Sequence, residues 1–507
     1  MTRKELAAYS TDASGVMGRA ERVMLPENIE DIQKIVKTSF NLDIVPRGAG
    51  TGFAGGAVPN NSIVIDVSKM NKIISFDMKN LRVKVESGMT VKELNERLQK
   101  ADLEFPIATS NYGAASIGGM IATNAVGKNG MKYGPMKDWV DELEFVNAKG
   151  ELIRLGKADI GDVCGMEGIT GVIVSATLRI IPKVKKSISL FQSDSIDEIL
   201  NVSRRLKTER EVLSIELFSP SLSLLLGLSS SYNLVIEFNS ERGKIKEDKD
   251  YEFFSKIKEA AYFKLFSEGY EPPLDPKFFF DKLKEFISFL DSNDIPYFSD
   301  IGYGVVYPFF KKNEDLKKEE VINIIKKSNS KLSVFKFGLL RKDFLDSFEK
   351  KIIGRIKIRH DPIAKFNKGK VIDFIPESTK EKDSEVGEYI EIKILDKVSQ
   401  VKPNLGEEKS AEEFLEELEK EAKEIEEIKK NVESDEKDIE IEEKEEYKGD
   451  IGQVRITDDL DRSSKMSDAE KDLINRIMTN KIDEKKEKDK NDDKKEDEKK
   501  EDKGGSD

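Results

Sequence analysis

Three stretches of small residues in this chain could offer backbone N–H groups to an anion. The first is Gly48-Ala-Gly-Thr-Gly-Phe-Ala-Gly-Gly56, five glycines within nine residues, directly after the apolar run Leu42-Asp-Ile-Val-Pro46. A loop of nearly bare backbone can press its amides against a phosphate. The second runs from Ala114 to Gly127 and contains Ser116-Ile-Gly-Gly-Met-Ile-Ala-Thr-Asn124; the third is Gly165-Met-Glu-Gly-Ile-Thr-Gly-Val-Ile173. Each lies beside a β-rich run, as with Ile63-Val-Ile-Asp-Val67 after the first and Val174-Ser-Ala-Thr-Leu-Arg-Ile-Ile181 after the third. One such loop reads as a turn between strands. Three of them suggest one long ligand threaded between backbone surfaces.

The elements that position the first loop decide which nucleotide site it could be. Gly50 to Gly55 satisfies G-x-G-x-x-G, but a Rossmann site needs a helix opening from the last glycine, and Pro59 with Asn60 and Asn61 argues against one. The order is strand, glycine loop, strand. A Walker A loop is excluded as well, because no Lys-Ser or Lys-Thr follows the glycines.

The order of the loops resembles the PCMH-type FAD-binding domain of the vanillyl-alcohol oxidase superfamily. The resemblance starts at Tyr9-Ser-Thr-Asp-Ala-Ser14 and at Leu25-Pro-Glu-Asn-Ile-Glu-Asp-Ile-Gln-Lys-Ile-Val36, whose apolar spacing predicts a helix after a proline-containing start, and ends near Pro182. It implies FAD as cofactor, with Pro46, Arg47, Gly48, Ala49, Gly50, Thr51 and Gly52 cradling the pyrophosphate. It further implies that Ser116, Ile117, Gly118, Gly119, Thr123, Asn124 and Gly127 lie along the flavin and pyrophosphate, and that Glu167, Gly168, Gly171, Val172 and Ile173 lie near the adenine-ribose end.

More of the chain is similar to the D-lactate dehydrogenase and glycolate oxidase flavoprotein branch, in which a cap domain covers the flavin ring. Phe254-Ser-Lys-Ile-Lys-Glu-Ala-Ala261, Leu274-Asp275, Lys282-Leu-Lys-Glu-Phe-Ile287 and the closing Asp361-Pro-Ile-Ala-Lys-Phe-Asn-Lys-Gly-Lys370 carry this likeness. The implied architecture is α+β: an N-terminal segment at 1–19, a two-subdomain PCMH-type FAD-binding domain at 20–183, an α+β cap at 184–375 and a disordered acidic tail at 376–507. The implied reaction is oxidation of a small 2-hydroxy acid, of the D-lactate or glycolate type, by hydride transfer to non-covalent FAD.

Departures from that branch concern its metal site. Where the branch carries G-H-x-G-D-G-N-x-H, this chain reads Ser299-Asp-Ile-Gly-Tyr-Gly-Val-Val-Tyr-Pro308, with Asp300 and Tyr307 in place of the two histidines. The later E-H-G becomes Val334-Phe-Lys336. The chain has one histidine, His360, so no imidazole metal site is expected. The arginine that would hold a substrate carboxylate becomes Lys258, which keeps the charge but loses the planar two-pronged fit. No catalytic residue is assigned. Asn367 and Lys370 are candidate flavin-ring contacts, Asp300, Tyr303 and Tyr307 are candidate replacement groups, and His360 reads more readily as structural than as a base. The single cysteine, Cys164, reads as a small buried apolar residue rather than a covalent flavin link. Loss of the metal histidines also admits a second class, a flavin-binding electron-transfer or assembly subunit.

Composition bounds the remainder. The 507 residues carry 98 acidic and 85 basic side chains, a net charge of −13. The acidic excess lies in the tail, which leaves the body mildly basic, and a tail rich in Lys, Asp and Glu cannot offset its ordering entropy by burial. Within it, Ser410 and Glu413 form a capping box ahead of Phe414, Leu415, Leu418, Ala422 and Ile425, which predicts a helix at 411–430 that could dock a partner protein. A small-molecule substrate is expected, with a protein or quinone as electron acceptor. A nucleic-acid partner is not expected, nor a membrane span. One cysteine and no apolar targeting segment make the cytoplasm the economical location.

Overall fold

The computed structural model describes residues 6–374, apart from 40–41, 247–248, 329–330, 333–337 and 341. All of these belong to one compact unit. The expected tail helix and the segment Val334-Phe-Lys336 lie outside the described residues.

Helices and sheets are mixed throughout. A three-stranded parallel sheet joins β1 (Arg19–Met24), β2 (Ile44–Arg47) and β3 (Asn60–Asp66) in the order β1-β3-β2. A five-stranded antiparallel sheet follows, from β4 (Ile73–Asp77), β5 (Arg82–Glu86), β7 (Val140–Val146), β8 (Leu152–Gly156) and β9 (Val172–Arg179), ordered β4-β5-β9-β7-β8. The short strands β6 (Leu103–Glu104) and β10 (Ile181–Pro182) form a separate antiparallel pair. The β-branched runs read from the sequence become the central strands because both of their faces are covered: Ile63 to Asp66 and Val172 to Ser175 are buried at every position.

A further, seven-stranded sheet is built from β11 (Ser187–Ser193), β12 (Val212–Phe218), β13 (Tyr232–Phe238), β14 (Pro276–Lys277), β15 (Tyr297–Asp300), β16 (Val305–Pro308) and β17 (Lys331–Leu332), ordered β11-β13-β12-β15-β16-β14-β17. Helices Ile196–Leu206 and Leu283–Ser292 pack on one side of it around Phe238, Phe286 and Tyr297. Helix Ile257–Ser267 packs on the other, around Phe298 and Phe309.

Local rules place the helix starts that matter for the site. Asn28 accepts from the Asp31 amide and begins the helix Ile29–Thr38, two residues beyond Pro26. Ser116 accepts from the Gly119 amide and begins Ile117–Thr123, so part of the second glycine stretch is a helix and not a loop. Gly118 permits that helix to lie on the backbone of Ser87, since a Cβ there would fall 2.7 Å from the Ser87 Cβ.

The chain closes by returning to its first strands. The Ile44 amide donates to the Lys365 carbonyl at 2.8 Å and the Asn367 amide to the Ile44 carbonyl at 3.0 Å, so Phe366 extends the edge of β2. Asp361, fully buried, holds this return by accepting from Lys357 Nζ at 2.5 Å and from the Phe366 amide at 2.7 Å.

Candidate active site

The glycine stretches and helix Ile257–Ser267 enclose a cavity of about 620 Å³, within the roughly 300–1,000 Å³ typical of small-molecule and cofactor sites. Its walls include Pro46, Arg47, Gly48, Ala49, Gly50, Thr51 and Gly52 from the first loop, and Ser116, Gly118, Gly119 and Thr123 from the second stretch. The third contributes Glu167, Gly168, Gly171, Val172 and Ile173. Three stretches far apart in sequence therefore meet around one space.

Three residues expected beside the cofactor do not line it. Ile117 is wholly buried in the core of the five-stranded sheet, because its place in the first turn of the helix turns it inward. Asn124 ends that helix in the left-handed conformation, φ 46°, and its Oδ1 accepts from the Lys137 amide at 2.8 Å. Gly127 lies against the backbone of Ala108, where a Cβ would meet the carbonyl oxygen at 2.3 Å.

The first loop has the donors an anion needs. Among the described residues, the amides of Gly48 to Gly52 donate to no protein acceptor. These residues are half-buried or exposed, so their amides are open to a ligand, and a phosphate would satisfy several at once. Nothing stands within 4 Å of a Cβ built at Gly52 or Gly113, so both border open space. Arg47 shapes this loop more than it faces a ligand: Nη1 donates to the carbonyls of Thr11 at 2.8 Å and Ala57 at 3.2 Å, its guanidinium lies over the Tyr9 ring, and burial lowers its affinity for its proton.

Asn367 and Lys370 do not reach the cavity. Asn367 Nδ2 donates to the carbonyls of Gly56 and Glu167, at 3.1 and 2.6 Å, and Lys370 Nζ donates to Gly56 at 2.7 Å. They tie the first glycine loop to the third. Burial pulls the Lys370 ammonium down to about 7. His360 is also away from the cavity, its ring edge-on to Phe145 and its Nε2 3.0 Å from Asp162 Oδ2, which is a structural role. Cys164 is buried with its Sγ 3.5 Å from Asn124 Oδ1 and does not line the cavity. Tyr303 packs under Lys277 instead, with Nζ 3.5 Å from the ring centre.

The far end of the cavity is aromatic and charged. Phe53 packs on Tyr262 and Phe266, with ring centres 5.4 and 5.9 Å away, and all three line the space. Beside them stand Lys128, Lys258, Glu259 and Tyr307. Lys258 Nζ is 2.5 Å from Asp300 Oδ1 and 3.6 Å from Glu216 Oε1, and the Tyr307 hydroxyl donates to Asp300 Oδ2 at 2.9 Å. Lys128 Nζ donates to Glu237 Oε1 at 2.9 Å, which also accepts from the Tyr251 hydroxyl at 2.7 Å. Burial opposes ionisation of Glu237, yet Lys128, Lys186 and Tyr251 outweigh it and hold the carboxyl below the usual range. Burial pushes Glu216 up to about 7 against the pull of Lys258, with Asp300 adding to the rise. Asp300 and Tyr307, picked out as histidine replacements, thus bracket an ammonium. Phe53 sits inside the first glycine stretch, but nothing marked its side chain; Lys128 and Tyr262 had no motif, and Glu216 and Glu237 carry no local signal, because the lysines that face them lie tens of residues away.

Residues 20–156 match the family described as FAD binding domain. This part of the chain is an FAD binding domain. The chain is 30% identical over 210 residues to a D-2-hydroxyglutarate dehydrogenase of Xanthomonas citri pv. viticola, covering 39% of this chain and 44% of that one. It is 34% identical over 196 residues to a D-lactate dehydrogenase of Anaerostipes hadrus, covering 36% and 41%, and 29% identical over 233 residues to a glycolate oxidase subunit of Bacillus subtilis, covering 43% and 48%. The chain thus spans less than half the length of each of these relatives. Among solved structures, an alkyldihydroxyacetonephosphate synthase superposes with a TM-score of 0.53 at 16% identity, over 69% of this chain and 76% of that one, a likeness of fold. The FAD of this domain suits the cavity on two counts: unpartnered loop amides and open space beside Gly52. Among the described residues, no helix is long and apolar enough to cross a membrane.

Proposed function

We propose that this chain is an FAD-dependent oxidoreductase that oxidises the CH–OH group of a small 2-hydroxy acid in the cavity between its glycine loops and helix Ile257–Ser267. The single observation that carries the reading is that the Gly48 to Gly52 loop, with its unpartnered amides, and the residues Lys258 and Tyr307, both bound to Asp300, line one continuous space. An elongated cofactor anchored at the first end would present its ring at the second. In this reading residues 20–183 hold non-covalent FAD, residues 184–375 cap it, and the cavity-lining residues of the three glycine stretches contact the cofactor.

Bound FAD would supply the hydride acceptor, while the chain supplies orientation and electrostatics. The amides of Gly48 to Gly52 would hold the pyrophosphate. Phe53, Tyr262 and Phe266 would exclude water from the reacting end, and Lys258 and Tyr307 would hydrogen-bond the oxygen of the donor. The dehydrogenases and the oxidase subunit that this chain resembles support a 2-hydroxy acid as donor. A protein or quinone would then take the electrons.

One observation favours a second reading, a flavin-binding electron-transfer or assembly subunit: Lys258, the cation best placed for a substrate carboxylate, is already held by Asp300. The test is product formation. The FAD-loaded protein is incubated with D-lactate, glycolate or D-2-hydroxyglutarate and an artificial electron acceptor. A 2-oxo acid formed in proportion to reduced acceptor supports the enzyme; no product from any donor sinks it and leaves the subunit.

A further inference from the structure

The carboxyls at the aromatic end of the cavity are not equally partnered. Glu216 on β12, Glu237 on β13 and Asp300 on β15 are all buried, with the ammonium groups of Lys128 and Lys258 packed among them. A buried carboxylate without a close partner is costly enough that it takes up a proton instead. Asp300 is not the odd one, since Lys258 and Tyr307 hydrogen-bond both its oxygens. Nor is Glu237, which Lys128 and Tyr251 hold. Glu216 Oε1 is buried and accepts no hydrogen bond, and its nearest cation is Lys258.

Oxidation of CH–OH to C=O removes a hydride from carbon and a proton from oxygen. The hydride leaves by the cofactor chemistry already stated; the proton needs an acceptor in the chain. We propose that Glu216, reached from the cavity through the Lys258 ammonium, takes up the proton that a hydroxyl donor loses when it is oxidised in this cavity. The inference rests on the oxidoreductase reading and deepens it.

The transfer is a relay. Lys258 lines the cavity and gives one of its three protons to Glu216 Oε1, 3.6 Å away, after a small movement of the ammonium. Its freed lone pair then takes the O–H proton of the donor. One proton has moved from the donor to Glu216, and Lys258 is restored. Asp300, fixed by Tyr307, anchors the ammonium throughout. Ionised Glu216 is the form that can accept, so the relay works above the pH at which Glu216 binds its proton and fails below it. The titratable groups facing Glu216 are Lys258, Asp300, Lys128 and Glu237. Glu259, half-buried on the cavity wall and also raised by burial, is the rival acceptor.

The test uses the full-length FAD-loaded protein, in which anaerobic flavin reduction by a 2-hydroxy acid is followed against pH in wild type, Glu216→Gln, Glu216→Asp and Glu259→Gln. An infrared titration of the same proteins without donor gives an independent readout of the protonated carboxyl. Wild type is expected to lose rate as pH falls through about 7, and to show a protonated-carboxyl band that disappears over the same range. Glu216→Gln is expected to lack both the band and the break and to reduce its flavin at least ~10²-fold more slowly above neutral pH, the usual size of a general-base effect. Glu216→Asp restores a break, which separates loss of the acceptor from misfolding. If Glu216→Gln keeps the wild-type profile, or if Glu259→Gln alone abolishes the break, the assignment to Glu216 is wrong. A wild type whose flavin no donor reduces at any pH sinks the oxidation reading itself, a distinct outcome.

Discussion

Gly48 is seated on Ser116: a Cβ at Gly48 would come within 2.1 Å of the Ser116 Oγ that caps helix Ile117–Thr123. The first glycine loop and the helix after it are therefore fixed against each other at the point where both line the cavity. Gly48→Ala must push them apart, at a cost of about 1–3 kcal/mol for an overpacked contact. The loop amides then lose their common direction, and we expect FAD affinity to fall at least ~10-fold, the equivalent of about 1.4 kcal/mol. Quenching of flavin fluorescence on titration into apoprotein measures this. Unchanged affinity would mean that the loop does not hold the cofactor.

Lys258 and Asp300 make a buried pair, and removing one member is predicted to cost far more than removing both. Lys258→Met leaves Asp300 and Glu216 without their nearest cation, which should destabilise the protein by about 3–5 kcal/mol. Adding Asp300→Asn to it should recover much of that loss. Urea unfolding of the two variants decides, and equal stability of single and double variants would show that the pair is not coupled.

These two cases show what could be read without the fold. The glycine loops were legible because φ freedom and close approach leave a local signature, and Gly48, Gly52 and Gly171 do line one cavity. The resemblance places Asn124 along the flavin and pyrophosphate, but the residue follows the last turn of a helix, where a left-handed asparagine is a terminator. The Lys128–Glu237 pair spans 109 residues and the Asn367–Glu167 contact 200, so neither has a pattern in the sequence. The closing segment was recognisable as a motif, but its role in tying Gly56 to Glu167 depends on the Ile44–Phe366 pairing, which is a tertiary event.

Lys370 gives a pH signature to that tie. Burial lowers its folded-state value to about 7, below that of the unfolded chain. Between the two values the unfolded state binds more protons, so stability rises with pH there, by at most ~1.4 kcal/mol per unit. Below the folded value both states carry the proton and the contribution is flat. Lys370→Met should remove this slope between about pH 7 and 9 in chemical unfolding series, and a slope shared by wild type and variant would place its origin elsewhere.

Among the described residues, neither His360 nor Cys164 lines the cavity, and we expect the flavin to be held without a covalent bond. His360 packs against Phe145, and Cys164 is buried outside the lining. Acid precipitation of the FAD-loaded protein should leave all the flavin in the supernatant. A yellow pellet that survives washing would contradict non-covalent binding.

We propose that FAD held by the glycine loops lies where the Lys258–Asp300–Tyr307 end of the cavity can act on a hydroxyl donor. The most direct test of this proposal is the visible absorbance of the FAD-loaded protein, mixed without oxygen with D-lactate, glycolate and D-2-hydroxyglutarate in turn. The oxidised flavin bands are expected to bleach with at least one of these donors, and more slowly in Lys258→Met. Bands that stay unchanged with every donor, while dithionite reduces the same flavin, would contradict it.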